Sequence, residues 1–221
     1  MGSLPRAAWL VPVSLLALAL IPVVAGSFRL TTLLVGAEVT PENVRFFSAP
    51  VPVLLHVVSV IIYAVVGAFQ FVPSLRKGRP SWHRIAGRVL VPVGLVVALS
   101  GIWMAIFYAI VPADTPLLST FRVFFGAAMA VCLVLGLVAI RKKDVGAHQA
   151  WMRRAYAIGL GAGTQAITQL PLLLIFGRPD PLALALMMGG AWILNLAIAE
   201  WFIRRKTPGR PAQGLEGRPS A

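Results

Sequence analysis

The sequence predicts an all-α, multi-pass membrane protein built as a bundle of six transmembrane helices. Hydrophobic residues make up 58% of the 221-residue chain, charged residues only 12%, and the mean hydropathy is +0.84. Soluble domains carry about twice this share of charged residues. The composition therefore excludes an ordinary cytosolic enzyme, a disordered chain and a fibrous protein.

Six stretches are apolar enough to cross a bilayer, for which about 20 residues suffice. They are residues 7–28, 51–73, 89–111, 121–140, 155–176 and 182–203. Because lipid offers a backbone no hydrogen-bond partners, each stretch is expected to be a helix. The first one follows Arg6 and is longer than the apolar core of a signal peptide, so we expect it to be retained as a membrane anchor.

The remaining segments are short. We expect one transmembrane domain over residues 1–203 and a disordered cytoplasmic tail over residues 204–221, which is rich in Pro, Gly and Arg. Between the first two spans, Thr40 and Pro41 form the pattern of an N-cap followed by proline at the first helical position. This pattern predicts a short helix over the outer face.

The distribution of charge predicts the orientation of the chain. Sixteen Lys and Arg residues and three acidic residues fall on one side of the predicted spans, a net charge of +13, whereas four basic and four acidic residues balance on the other. The positive-inside rule then places the basic side and both termini in the cytoplasm. The basic face is expected to contact anionic lipids. Because the charge is segregated in this way, we expect no nucleic-acid partner. The sequence leaves open a membrane-protein partner or a homo-oligomer.

A string of basic residues around a histidine occurs twice, 65 residues apart. Histidine is rare in this chain, so its match in register is more than composition explains. The two units, residues 51–111 and 116–176, predict a parallel internal duplication with its axis along the membrane normal. The identical positions are Arg76 and Arg141, Lys77 and Lys142, His83 and His148, Arg88 and Arg153, and Gly94 and Gly159.

A family resemblance is carried by these same residues. The run from His56 through Arg88 and the run from Arg122 through Ala147-His148-Gln149-Ala150-Trp151-Met152-Arg153-Arg154 resemble a bacterial family of predicted membrane proteins, domain of unknown function 2306. The resemblance covers about residues 50–175. The resemblance implies the membrane topology and points to these residues as candidates. It implies no activity and no cofactor.

His83 and His148 are the first candidate pair. At matched depth on facing helices they could ligate the iron of a b-type haem, with Arg88 and Arg153 on its propionates. They could instead orient basic loops against lipid headgroups, or bind an anion or a quinone headgroup. No other metal site is predicted, since the single cysteine, Cys132, excludes a cysteine cage.

A second candidate site lies towards the outer side. His56 and Arg122 are predicted at similar depth, and Gln165 and Gln169 share one face of span five. Polar residues inside a membrane usually face the bundle interior or a wet cavity. This pattern predicts a pocket for an anionic or quinone-like ligand, and the alternative is hydrogen bonding between helices.

The leading hypothesis is an inner-membrane protein that holds a quinone, a small anion or a redox cofactor in its bundle. The rivals are a haem-carrying electron-transfer protein and a structural or assembly subunit without a ligand. No catalytic motif is present, so an enzyme here would be a membrane oxidoreductase. We also expect Gly159 and Gly163 to allow close helix packing, Glu200 to pair with an arginine, and Asn195 and Gln70 to bond between helices.

Overall fold

The computed structural model describes residues 7–110, 115–177 and 180–205. This part of the chain is helical throughout, with no strand. Arg6, Arg178 and nearly all of the predicted tail lie outside it. The helices are α1 (Ala7–Leu34), α2 (Val44–Ser48), α3 (Pro50–Phe69), α4 (Pro73–Gly78), α5 (Pro80–Phe107), α6 (Pro116–Arg141), α7 (Val145–Gly159), α8 (Gly161–Phe176) and α9 (Pro181–Arg205).

The predicted six spans are confirmed, since six stretches of the described helices are long and apolar enough to cross a membrane. They are α1, α3, α5, α6, α7 with α8, and α9. We call the end of the bundle that carries Arg76, Lys77, Arg141, Lys142 and Arg205 the basic end. The other end, where α1 finishes and α3 begins, is the opposite end.

Several predicted boundaries were too tight because they followed hydropathy alone, whereas the predicted ends of spans two and three, at 73 and 111, lie beyond the ends of α3 and α5. Helix α1 continues to Leu34, α5 begins at Pro80 and α7 begins at Val145, so much of both predicted basic loops is helical. Proline fits the first turn of α5, and the carboxylate of Asp144 accepts a hydrogen bond from the amide of Ala147 (2.9 Å) and so caps α7. A helix carries its own backbone hydrogen bonds past the edge of the hydrocarbon.

The short helix between the first two spans exists, but its predicted N-cap was wrong. Helix α2 begins at Val44 rather than at Pro41, and residues 41–43 form a turn. The amide of Thr40 donates to Oδ1 of Asn43 (2.7 Å), so Asn43 closes the turn instead of Thr40 capping a helix. The Asn side chain satisfies the local backbone here.

The fifth span is broken in the middle, which the sequence did not predict. Helix α7 ends at Gly159 and α8 begins at Gly161. The side-chain amide of Asn195, on α9, donates to the carbonyl of Ala157 (3.1 Å), which in an unbroken helix would accept from the amide four residues later. Thr164 in turn donates to the Asn195 carbonyl (2.7 Å). A side chain inserted into the helical ladder accounts for the break.

The centre of the bundle is the buried ring of Tyr63, on α3. A Cβ built on Gly94 would lie 2.7 Å from one edge of this ring, and a Cβ on Gly159 would lie 2.9 Å from the other edge. The two glycines that match at the 65-residue offset therefore contact the same tyrosine, one from α5 and one from α7. Close packing at Gly159 and Gly163 is confirmed, and the internal duplication stays a prediction.

Candidate functional site

Four basic residues from three helices lie within electrostatic range of one another at the basic end. His83 lies in the first turn of α5, and Arg76 and His148 are within electrostatic range of its ring. Arg76, on α4, is also within electrostatic range of Arg153, on α7. We call Arg76, His83, His148 and Arg153 the basic cluster. Its members come from both copies of the repeated string, so the fold brings the two matching segments together.

His148 is held by a hydrogen bond to a neighbouring helix. Its backbone amide donates to the N-cap Asp144 (3.0 Å), and its Nδ1 lies 2.8 Å from the carbonyl oxygen of Gly136, on α6. A carbonyl only accepts, so Nδ1 carries the proton. In the neutral ring Nε2 then keeps its lone pair for a donor or a metal ion. The orientation of this imidazole is fixed by the fold.

His83 occupies the equivalent place in α5 but lacks the equivalent bond. Its backbone amide donates to the carbonyl of Arg79 (3.2 Å), as that of His148 does to Asp144. Its Nδ1 is buried and has no hydrogen-bond partner within the described residues, and the same is true of Nε2 of Gln70, at the end of α3. Buried polar atoms usually have partners, so both atoms are available to a group outside the described residues.

The basic cluster is poor in acidic residues. Glu200 forms its ion pair with Arg154, which confirms the predicted pairing, and also lies 3.8 Å from Arg204. Arg153, the neighbour of Arg154 in sequence, instead bonds weakly to the amide of Gln149 (3.4 Å). The carboxylate of Glu200 is therefore paired with Arg154 and not with Arg153. The cluster keeps a net positive charge that an anion could neutralise.

Arg88 differs from its repeat partner. Arg153 is half-buried within the basic cluster, whereas Arg88 is exposed on α5. The match in sequence does not extend to the environment of the side chain. Of the four residues predicted to hold a cofactor, three therefore lie together.

The candidates nearer the opposite end are spread over two helix pairs. His56 bonds to α5 through its Nδ1, which lies 3.1 Å from the carbonyl oxygen of Val97 and 3.0 Å from the hydroxyl of Ser100. Gln165 bonds to α9 by donating to the carbonyl of Met188 (3.2 Å). These bonds are of the kind that joins helices in a membrane.

The other two candidates of that group are Arg122 and Gln169. Arg122 lies in the second turn of α6, is half-buried and is engaged in an interaction. Nε2 of Gln169 is buried without a hydrogen-bond partner in the described part of the chain. The predicted site of His56, Arg122, Gln165 and Gln169 therefore stays a prediction, and the geometry of His56 and Gln165 favours the alternative of interhelical bonding.

Sequence reasoning missed the contribution of α4 to the basic cluster. Arg76 was noted only as a match of the repeated string. Its proximity to His83 and Arg153 depends on helix packing, which no local pattern reports. Over residues 7–110, 115–177 and 180–205, no group of three or more His, Cys, Asp or Glu residues could hold a metal ion.

Comparison with known proteins agrees with this architecture. No curated protein and no solved structure matches the chain significantly. A family described as predicted membrane protein, domain of unknown function 2306, matches residues 53–203, which include the basic cluster and five of the six spans. The chain thus belongs to this family of predicted membrane proteins.

Proposed function

We propose that this protein is a membrane-embedded binding protein whose ligand is an anion held by the basic cluster. The observation that carries the proposal is the meeting of two guanidinium groups and two imidazoles from α4, α5 and α7 at one end of the bundle. Arginine suits oxyanions because its planar donors match two oxygen atoms at once. The ligand class is therefore an oxyanion, a phosphate or a carboxylate.

An unpartnered atom within the cluster supports the same proposal. Nδ1 of His83 is buried without a partner in the described residues. An oxyanion brings several acceptors and would satisfy this nitrogen in the tautomer that carries its proton on Nδ1. His148, oriented by Gly136, would present Nε2 to the same ligand when protonated.

Replacing Arg153 with Gln is expected to weaken the binding of inorganic phosphate about 10-fold or more. A hydrogen bond to a charged group contributes about 1.5–3 kcal/mol, which corresponds to that loss. The measurement is calorimetric titration of the detergent-purified protein. Arg84→Gln is the matched control, because Arg84 is exposed one residue beyond His83 and its loss should change the affinity little. Equal affinities for the wild type and Arg153→Gln would contradict the proposal and favour a structural role.

A second candidate function is electron transfer through a b-type haem on His83 and His148. The hydrogen bond from Nδ1 of His148 to Gly136 favours it, because ligating histidines commonly donate their other ring nitrogen to a carbonyl. A visible spectrum of protein expressed with adequate haem is the test. A Soret band that His148→Ala abolishes supports the haem, whereas a wild-type preparation without such a band excludes it.

The charge distribution supports a cytoplasmic location for the basic end, in a bacterial inner membrane, where it would also meet anionic lipids. The last described helix, α9, ends there with Arg204 and Arg205. A phosphatase reporter that is active only in the periplasm, fused after Ala221, is expected to stay inactive. An active fusion would reverse the proposed orientation and place the basic cluster outside.

A further inference from the structure

A cleft of about 310 Å³ lies at the opposite end of the bundle, far from the basic cluster along the helices. It is formed by the last turns of α1, the loop that follows and α2. Its volume is at the lower limit of small-molecule sites. The residues that line it include Phe28, Arg29, Thr32, Asn43, Phe46 and Phe47.

The cation of the cleft is Arg29. Its guanidinium carbon lies 4.3 Å from the centre of the Phe46 ring, and that of Arg45 lies 5.0 Å from the same centre. Arg29 and Arg45 are within electrostatic range of each other. Within the part of the chain that the structure describes, no carboxylate pairs with Arg29. The guanidinium of Arg29 therefore keeps a positive charge that can attract an anion.

The walls of the cleft are held in place by hydrogen bonds. Nδ2 of Asn43 donates to the carbonyl of Glu38 (3.0 Å), which fixes the loop after α1. The hydroxyl of Tyr108 donates to the carbonyl of Ala49 (2.7 Å), which fixes the end of α2. Burial raises the pKa of the Tyr108 hydroxyl above its ordinary value, so the group stays protonated and keeps donating. A site formed in advance loses less entropy when its ligand binds.

The cleft also has apolar walls, and exposed apolar side chains of α1 lie beside it. Phe28 is 71% exposed and Leu34, at the end of the same helix, is 79% exposed. A free inorganic anion would leave this apolar surface unused. A molecule with an anionic head and a hydrocarbon chain would use both the cation and the aromatic walls.

We propose that the cleft binds an anionic phospholipid of the adjacent leaflet, with its phosphate at Arg29 and an acyl chain along Phe28. This site is separate from the basic cluster in position and in residues. It gives the first span a role in lipid recognition beyond anchoring. The commitment to a lipid rather than to free phosphate follows from the aromatic walls of the cleft and from the exposed apolar side chains of α1 beside it.

The test uses the full chain in nanodiscs that contain phosphatidylglycerol with a photoactivatable group in its acyl chain. After illumination, the adducts are mapped by mass spectrometry. We expect adducts on the segment from Ala25 to Phe47, reduced at least fivefold by Arg29→Gln and largely restored by Arg29→Lys. Arg153→Gln, which removes one positive charge at the other end, should leave these adducts unchanged.

Three outcomes would overturn the proposal. The first is an equal adduct yield in Arg29→Gln and the wild type, which would make the cleft a groove for any hydrocarbon chain. The second is an equal yield from a phosphatidylcholine probe, which would remove the preference for a net negative lipid. The third is displacement of the adducts by millimolar inorganic phosphate, which would assign the cleft to a soluble anion. Because the cleft shares no residue with the basic cluster, failure of this proposal leaves the proposed function untouched.

Discussion

Replacing Gly163 with Ala is expected to destabilise the bundle by about 2–3 kcal/mol, near the upper end for an overpacked core. A Cβ at this position would lie 2.9 Å from the carbonyl carbon of Leu18 and closer still to its oxygen. The obstacle is backbone, which has no rotamer to change. Helix α1 must therefore move away from α8 as a unit. The free energy of unfolding in mixed micelles, from denaturing-detergent titration, measures the effect.

Gly190→Ala provides the matched control for this prediction. Gly190 is also helical, but a Cβ built on it meets nothing within 4 Å. The same chemical change should leave the unfolding free energy unchanged or raise it by less than about 1 kcal/mol, the gain in helix propensity. Equal effects at Gly163 and Gly190 would mean that α1 does not pack on α8 as described.

Replacing Asn195 with Leu is expected to cost about 1–3 kcal/mol, although the two side chains have the same number of heavy atoms and the same branching. Asn195 is buried, with 8% of its surface exposed, and joins the carbonyl of Ala157 to the hydroxyl of Thr164. Leucine leaves that carbonyl without its donor in an apolar environment. Interhelical bonds in membranes contribute about 0.6 kcal/mol each on average, and two are lost here. The same detergent titration measures the loss.

Thr168→Val is the control for Asn195→Leu. The Thr168 hydroxyl bonds only to carbonyls of its own helix, those of Thr164 (3.0 Å) and Gln165 (3.1 Å). Its removal should change stability by less than about 0.5 kcal/mol, because both carbonyls can keep their backbone partners. If Asn195→Leu were as harmless as this control, the break between α7 and α8 would be held by something other than the amide.

Some polar residues could be assigned from sequence and others could not. Glu200 was expected to find an arginine because it is the only acid within a span, and it pairs with Arg154. His56 was expected near Arg122 because both lie at similar depth. Depth along a helix says nothing of the direction in which a side chain points. The structure shows that Nδ1 of His56 bonds to Val97 and Ser100, and its grouping with Arg122 stays a prediction.

Sequence by itself determined the membrane class, the six spans and the separation of charge between two ends. These follow from hydropathy and charge, which act on each stretch of chain through its solvent and need no knowledge of its neighbours. The tertiary structure alone decided which distant residues meet. It broke the fifth span at Leu160, placed Tyr63 between two glycines and brought Arg76 near Arg153. Those results depend on helix packing, where contact geometry selects one arrangement among many that share the same hydropathy.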